Sequence, residues 1–335
     1  MLFVRRAIFE LFLKLHSTLA LTLVTVLWFH VDIGLNISTI ALAVACTGWF
    51  LHACVWTGRF VYRNIGGKGA QVATVLLPPN HEGPIDVILL EVGVRRPWRA
   101  EHGQYVFITI PSLPLSVFGR FQSHPYIVAW TDENERSQLC DTITLLVETR
   151  RGFSNHLRLC RDGARVLVDG PYGQAVSLNE YDTVLYVATG VGIAAHLLSI
   201  RRLLQAHRDR TARVRRVSLW WFIDTPGNST GLYLGISAYI STDQEAWAKP
   251  FLETLMDTDE QERRIFTIVI SRPHSREATA SNPVVLAQDS SRTRWTRASG
   301  MLSLSEYLNS EWDAEAGNMV VCCKSQCHGD MLVSG

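Results

Sequence analysis

Gly190 and Gly192 stand one residue apart, between a run of β-branched and aromatic residues (Thr183–Ala188) and a helical pattern of apolar residues (Ile193–Leu204). Two glycines at that spacing let the backbone turn sharply with no Cβ in the way. A strand, a tight turn and a helix start together aim backbone N–H groups at one point, which suits a pyrophosphate. Gly190-x-Gly192-x-x-Ala195 is equally compatible with an ordinary βα turn. Thr189, Gly190, Val191, Gly192 and Ile193 are the candidate contacts to a dinucleotide.

Two histidines form a second constellation. His16 and His30 are fourteen residues apart in the apolar stretch Phe9–Val31. On a helix they share a face at levels about 21 Å apart along the axis. Ionisable groups inside a membrane are costly and usually functional, and neutral imidazole is an axial ligand for haem iron. Two haems stacked along one helix would give electrons a path across a bilayer. Alternatively, His30 sits at the outer interface and His16 bonds a neighbouring helix. His52, in the next apolar stretch, reads as structural.

The elements that position these groups begin with the membrane. Phe9–Val31 and Ile37–Trp56 are each long enough to span the hydrocarbon. Their connection, Asp32–Asn36, has no Lys or Arg, whereas Arg5 and Arg6 precede the first span and Arg59, Arg63 and Lys68 follow the second. The positive-inside rule then puts both outer ends, and everything after Arg59, in the cytoplasm. The net charge of +1 gives no reason to expect a nucleic-acid partner. Seven scattered cysteines do not read as a disulfide framework. Cys322-Cys323 and Cys327-His328 are too cramped for a zinc site with two separate ligand pairs.

After a glycine-rich link, short strand patterns follow at Thr74–Leu77, Asp86–Val92, Gln104–Ile110, Tyr126–Trp130, Asp141–Glu148 and Arg165–Asp169, separated by turn residues. That pattern suggests an antiparallel barrel or sandwich. From Tyr181 strands and helices alternate: a strand at Val217–Ile223, a helix at Thr242–Met256, a strand at Ile265–Ser271, a short helix at Leu304–Trp312 and a last strand at Met319–Cys323. Alternation argues for a parallel sheet. The Ser-, Thr-, Arg- and Ala-rich stretch 272–300 reads as a mobile insertion.

Along the barrel stand His124-Pro125-Tyr126-Ile127-Val128, Gly152-Phe153-Ser154 and Asp169-Gly170-Pro171-Tyr172-Gly173, followed by Gly190-Val191-Gly192-Ile193. With the paired histidines, these motifs in this order resemble the C-terminal part of the fungal ferric-chelate reductases, in the superfamily that includes the NADPH oxidases. The resemblance implies a membrane-anchored α+β and α/β protein: two transmembrane helices, an antiparallel FAD-binding β-barrel, then a ferredoxin-reductase-like doubly wound nucleotide-binding domain. It divides the chain into a membrane region at 1–64, the FAD barrel at 70–178 and the NADPH-binding domain at 179–335, with the insertion at 272–300. It gives His124, Pro125, Tyr126, Ile127, Val128, Gly152 and Ser154 to FAD. It gives Asp169–Gly173 and Thr189–Ile193 to NADPH, and His16 and His30 to haem iron. The activity implied is passage of electrons from NADPH through FAD and haem to an extracellular ferric chelate or cupric ion, supporting iron uptake, at a membrane, the plasma membrane by analogy, with the soluble domains cytoplasmic.

The chain departs from the family pattern in three places. Ile127 stands where a Ser or Thr often follows the aromatic residue. Cys322-Cys323-Lys324-Ser325 replaces Cys-Gly-Pro, leaving Cys322 and Cys323 as the candidates near the nicotinamide ring. The family's four further helices, one bearing the opposite haem histidines, are not in this sequence. Three membrane histidines are fewer than the four that two bis-histidine haems need. The chain alone is therefore expected to hold haem poorly, with the remaining ligands coming from upstream helices or a second chain. Two other readings stay open: a superoxide-forming oxidase, and an inactive membrane-anchored homologue. The nucleotide is also open between NADPH and NADH. Asp224, closing the second strand, suits a ribose 2′-OH, while Arg201, Arg202 and the arginines from Arg213 to Arg216 could offset it.

Overall fold

The computed structural model describes residues 9–30, 36–66, 72–76, 87–113, 122–133, 139–149, 153–160, 162–223, 244–260, 265–272, 285–289, 292–299, 317–324 and 332–333. The chain divides into two units, residues 1–62 and 63–335.

The first unit holds helix α1 (Phe9–His30) and most of helix α2 (Ile37–Asn64). Asn36 caps α2, its Oδ1 accepting from the Thr39 N–H at 2.9 Å and the Thr39 hydroxyl at 2.7 Å. On α1 the Thr22 and Thr25 hydroxyls donate to the carbonyls of Thr18 and Leu21, so neither looks outward for a partner. Large apolar side chains stand exposed on both helices, among them Leu21, Phe29, Trp49 and Phe50. Helices apolar on all sides suit lipid rather than water. Among the described residues α2 alone is long and apolar enough to cross a membrane. Within α1 the described apolar stretch is Leu15–His30. The two apolar stretches expected to span a membrane, Phe9–Val31 and Ile37–Trp56, are both helical over their described residues.

The second unit opens with an antiparallel sheet. Strands β1 (Val72–Leu76), β2 (Val87–Trp98), β3 (Tyr105–Thr109), β4 (His124–Glu133), β5 (Cys140–Glu148), β6 (Ala164–Arg165) and β7 (Leu167–Tyr172) lie in the order β6-β1-β2-β5-β4-β3-β7. The two ends of that order, β6 and β7, are separated only by the buried Val166, so the sheet closes on itself as a barrel. Ile88, Leu90, Ile108, Ile143, Leu145 and Val168 fill its interior. A short helix α3 (Phe153–His156), continuing into a 3-10 turn, adds Phe153 and Leu157 to that core. Two residues at the end of α2 belong to this unit. Asn64 is buried and bonds both backbone groups of Val168, at 2.9 Å each, as a strand neighbour would. Arg63 donates to the Arg96 carbonyl at 3.0 Å and lies over the Trp98 ring.

The second sheet runs β11-β12-β10-β9-β8-β13-β14. It is built from β8 (Thr183–Thr189), β9 (Arg216–Phe222), β10 (Phe266–Arg272), β11 (Val285–Asp289), β12 (Arg292–Ser299), β13 (Met319–Lys324) and β14 (Leu332–Val333). The five central strands are parallel and the two edge strands antiparallel. Helix α4 (Ala194–Arg208) connects β8 to β9, and α5 (Gln244–Glu260) precedes β10. The stretch 272–300 differs from its reading as a mobile insertion. It contributes β11 and β12, and β12 pairs in parallel with β10 from Ile268–Trp295 to Arg272–Ser299. Its polar composition hid the strands, because alternating Thr and Arg around one Trp lacks the apolar run of a central strand. The helix expected at Leu304–Trp312 lies outside the described residues. The two sheets share a core: Val87, Ala129, Trp130 and Leu146 of the barrel pack in one cluster with Tyr186, Leu197, Trp221 and Leu252 of the parallel domain.

Candidate functional site

The parallel sheet reverses its direction of growth at β8. The chain leaves β8 through α4 to β9 on one side, and β13 arrives on the other. In open α/β sheets, ligands bind outside the C-terminal ends of the strands at such a switch point. Here that edge is made by Thr189 and Gly190 at the end of β8 and by Cys322–Lys324 at the end of β13, paired with Tyr186–Ala188. The two elements singled out for nucleotide chemistry, far apart in sequence, therefore meet at one crevice.

The turn itself is tightly held. Gly190–Ile193 form a 3-10 turn that runs directly into α4. Gly190 has φ +49, in the left-handed region that glycine enters at little cost. Its carbonyl accepts from the buried Trp221 indole N–H on β9 at 2.8 Å. Sequence reasoning missed Trp221. Its only signal was its place in a Trp-Trp pair on a buried strand, which reads as core. Beneath the crevice the Tyr186 hydroxyl meets the Ser199 hydroxyl of α4 at 2.8 Å, and the Tyr186 ring lies 5.1 Å from His196.

The cysteines alternate along β13. Cys322 packs with Tyr186 and Val320 on the face toward α4, while Val321 joins Leu185 and Val187 on the other. Burial, with a smaller contribution from Cys323, pushes the Cys322 thiol up to about 11. The Cys323 thiol is also raised by burial, yet its residue is exposed. The thiolate is the reactive form. Alkylation at neutral pH is expected to label Cys323 roughly tenfold faster than Cys322, and a bound nicotinamide nucleotide is expected to slow it. Peptide mapping of labelled protein checks both; Cys322 labelled first would contradict the arrangement.

On the barrel, the register of β3 with β4 sorts the flavin motif by face. His124 pairs with Ile108 and Tyr126 with Val106, both partners fully buried. Pro125 pairs with Phe107, and Ile127 with Tyr105. His124 stacks on Phe153 at 4.2 Å between centroids, with the rings 23° apart, so strand β4 and helix α3 meet there. Ser154 follows Phe153 in the same helix, while Gly152 lies outside the described residues. Tyr126 packs against the barrel core, and burial pushes its phenol well up. A face expected to be flat and open is thus partly turned inward. The other face carries an aromatic group that sequence reasoning did not single out as one. Tyr105, Phe107 and Tyr172 sit with centroids 5.7 to 5.8 Å apart. The Tyr172 hydroxyl donates to Asp169 at 2.8 Å. Asp169–Tyr172 is the last part of β7 and pairs with β3 across a register shift, with the Gly170–Pro171 peptide cis.

The arginines read as possible offsets to Asp224 have other places in the fold. Arg201 and Arg202 on α4 point into the barrel: Arg201 donates to the Thr131 carbonyl at 2.7 Å, and Arg202 to Glu133 and the Ala100 carbonyl. Arg213–Arg216 stand at the N-terminal end of β9, about 20 Å of strand from its other end. Asp224 lies outside the described residues. On α1, His16 and His30 are both exposed, and His16 stacks on Phe12 at 5.8 Å.

Comparison with known proteins follows this geometry. Residues 81–176, which include most of the barrel, match the family model of an FAD-binding domain. The chain is 28% identical over 222 residues to ferric/cupric reductase transmembrane component 2 of Saccharomyces cerevisiae, covering 63% of this chain and 28% of that protein. It is 29% identical over 239 residues to ferric/cupric reductase transmembrane component 1 of Candida albicans, covering 67% of this chain and 28% of that one. The chain thus spans under a third of the length of these curated relatives. Among solved structures, a flavohemoglobin from Malassezia yamatoensis superposes with a TM-score of 0.50 at 10% identity, covering 88% of this chain and 63% of that one. That likeness shows a shared fold.

Proposed function

We propose that the chain is the FAD- and nicotinamide-binding part of a membrane ferric or cupric reductase. NADPH is the electron donor, on the cytoplasmic side of a plasma membrane crossed by α1 and α2, and a ferric chelate or cupric ion outside is the acceptor. The observation that carries this reading is the switch point, where the Gly190–Gly192 turn and the Cys322–Cys323 strand end share one crevice in a domain whose core is continuous with the barrel. The sequence similarity of 28% to a ferric/cupric reductase component supports the choice of acceptor.

When bound, FAD accepts a hydride and hands electrons on singly, which suits a position between a nicotinamide and a haem. The residues of this chain bind and orient. The Gly190–Gly192 backbone offers N–H groups to the nucleotide pyrophosphate, and Trp221 holds that turn in shape. Cys322 and Cys323 border the place of the nicotinamide. His124, Tyr126 and Ser154 line the flavin side, with Phe153 fixing the His124 ring. His16 and His30 each offer one imidazole, to which upstream helices or a second chain would add the opposite ligands, and a haem held there would relay single electrons.

Replacing Tyr126 by Ala is expected to weaken FAD binding roughly tenfold, through loss of an aromatic face worth about 1 kcal/mol or somewhat more. Titration of the deflavinated full chain with FAD measures it; unchanged affinity would move the flavin to the outer face of Tyr105 and Tyr172. Membranes containing the protein are then assayed with NADPH or NADH against a ferric chelate, a cupric salt and oxygen. The reading requires metal reduction to exceed superoxide formation. Superoxide as the main product would make the protein an oxidase.

A further inference from the structure

The barrel and the parallel domain are held together in two ways. One is apolar and gives adhesion without direction: Ala129 and Trp130 of β4 pack into the same cluster as Ile193, Leu197 and Ile200. The other is directional. Arg202 of α4 makes a two-pronged ion pair with Glu133 at the end of β4 and also donates to the Ala100 carbonyl at 2.7 Å. The pair is largely shielded, with Arg202 15% and Glu133 9% exposed. One residue earlier, Arg201 lies 4.7 Å over the Trp130 ring and donates to the Thr131 carbonyl at 2.7 Å. Thr131 in turn donates its hydroxyl to Glu133 at 2.8 Å. Arg202 also donates to Gln205 of its own helix at 3.3 Å, but the partners named above lie on the barrel side, on strand β4 and at Ala100.

A shielded ion pair adds little net stability over apolar residues of the same size, because desolvation offsets the attraction. Its distinct contribution is geometry, since a guanidinium fork fits a carboxylate in one orientation. The two elements it joins carry the two candidate sites. Strand β4 begins with the His124–Tyr126 motif and ends at Glu133, while α4 begins at the Gly190–Gly192 turn and reaches Arg202 about 15 Å along its axis. Any rotation about this joint changes the distance between what β4 holds and what α4 holds.

We infer that Arg201, Arg202 and Glu133 form an alignment clamp that sets how the nicotinamide meets the flavin, acting as positioning residues for the transfer step. The inference rests on the reading of the chain as a nicotinamide-dependent flavin reductase. With both bound, that step would pass a hydride, two electrons with one proton, from the nucleotide, which is oxidised, to the flavin, which is reduced. The clamp touches neither partner, so it acts on the rate at saturation and not on either affinity. Reaction rates fall steeply with sub-ångström to ångström misplacement, about 100-fold in unfavourable cases.

The test compares the full-length protein with the double variant Arg202→Met/Glu133→Leu, which replaces the pair by apolar residues of similar volume, and with Arg201→Met. Two quantities are read on each: amide hydrogen exchange across Thr131–Glu133 and α4 without nucleotide, and the limiting rate of flavin reduction with the apparent Kd of NADPH. The clamp predicts faster exchange at Thr131–Glu133, a limiting rate lowered at least tenfold in the double variant and several-fold in Arg201→Met, and affinities for FAD and NADPH within twofold of the parent. A double variant with the parent's exchange and limiting rate overturns the inference. So does a rate loss that merely follows loss of FAD, which would make the pair structural. If the double variant does not fold, Arg201→Met decides by the same criteria. A parent protein that binds FAD yet is not reduced by either nicotinamide nucleotide removes the functional reading itself, an outcome separate from unchanged variants of a reducible parent.

Discussion

Valine at position 192 is expected to slow nucleotide-driven flavin reduction about 100-fold or more while the protein keeps its FAD. Gly192 sits in the four-residue 3-10 turn between β8 and α4, at the C-terminal edge of the sheet beside the end of β13. A pyrophosphate reaching the N–H groups of such a turn needs the backbone bare. A β-branched side chain there fills the approach and also stiffens a turn that has to stay tight. The barrel is distant in sequence and keeps its own core, so flavin content serves as the internal control. Single-turnover reduction at rising NADPH separates a raised Kd from a lowered limiting rate. An unchanged reaction would place the nucleotide somewhere other than the switch point.

The second large effect is on the barrel edge. Gly173 has φ +92, and a Cβ added there would come within 2.9 Å of the Gly103 carbonyl oxygen, a backbone atom that cannot swing aside. Gly173→Ala therefore combines an unfavourable backbone conformation with a clash, and is expected to cost about 2–3 kcal/mol. Gly163 provides the comparison: its φ is +74, but nothing lies within 4 Å of the added Cβ. Gly163→Ala should cost about 1–2 kcal/mol from conformation alone. Urea melts of the two variants against the parent measure the difference. Because Gly173 directly follows Tyr172, which β7 pairs with Tyr105, the first variant should also lose FAD more readily. Equal losses at both positions would show that the Gly173 turn is free to move.

The parts of this fold that could be read from residues alone are those where local chemistry is unambiguous. The Thr183–Ala188 run reads as a doubly buried strand, and it is β8, with every residue from Thr183 to Ala188 buried. The glycine pair after it marked the turn. His-Pro-Tyr marked the start of β4, though not which way Tyr126 faces, since face is set by register with β3 and not by the motif. Strands β11 and β12 were missed because Val285–Asp289 is a short edge strand and Arg292–Ser299 alternates Thr and Arg in place of an apolar run. Arg201 and Arg202 read only as possible offsets to Asp224, because a basic helix end looks the same whether it meets a nucleotide or a carboxylate. Their partner Glu133 is 69 residues away in the chain, and no local pattern announces it. The convergence of Cys322 and Gly190 at one crevice is likewise a property of strand order, which periodicity does not encode.

The central claim is that this chain binds FAD in its barrel and delivers to it a hydride from a nicotinamide nucleotide held at the β8–β13 crevice. The direct measurement is rapid anaerobic mixing of the purified, FAD-loaded full chain with NADPH, and in parallel with NADH, followed by flavin absorbance. The account predicts full bleaching of the flavin in a single nucleotide-dependent phase that saturates with nucleotide concentration, by at least one of the two donors. A folded chain that takes up FAD and stays oxidised with both nucleotides, while dithionite reduces it fully, would contradict it.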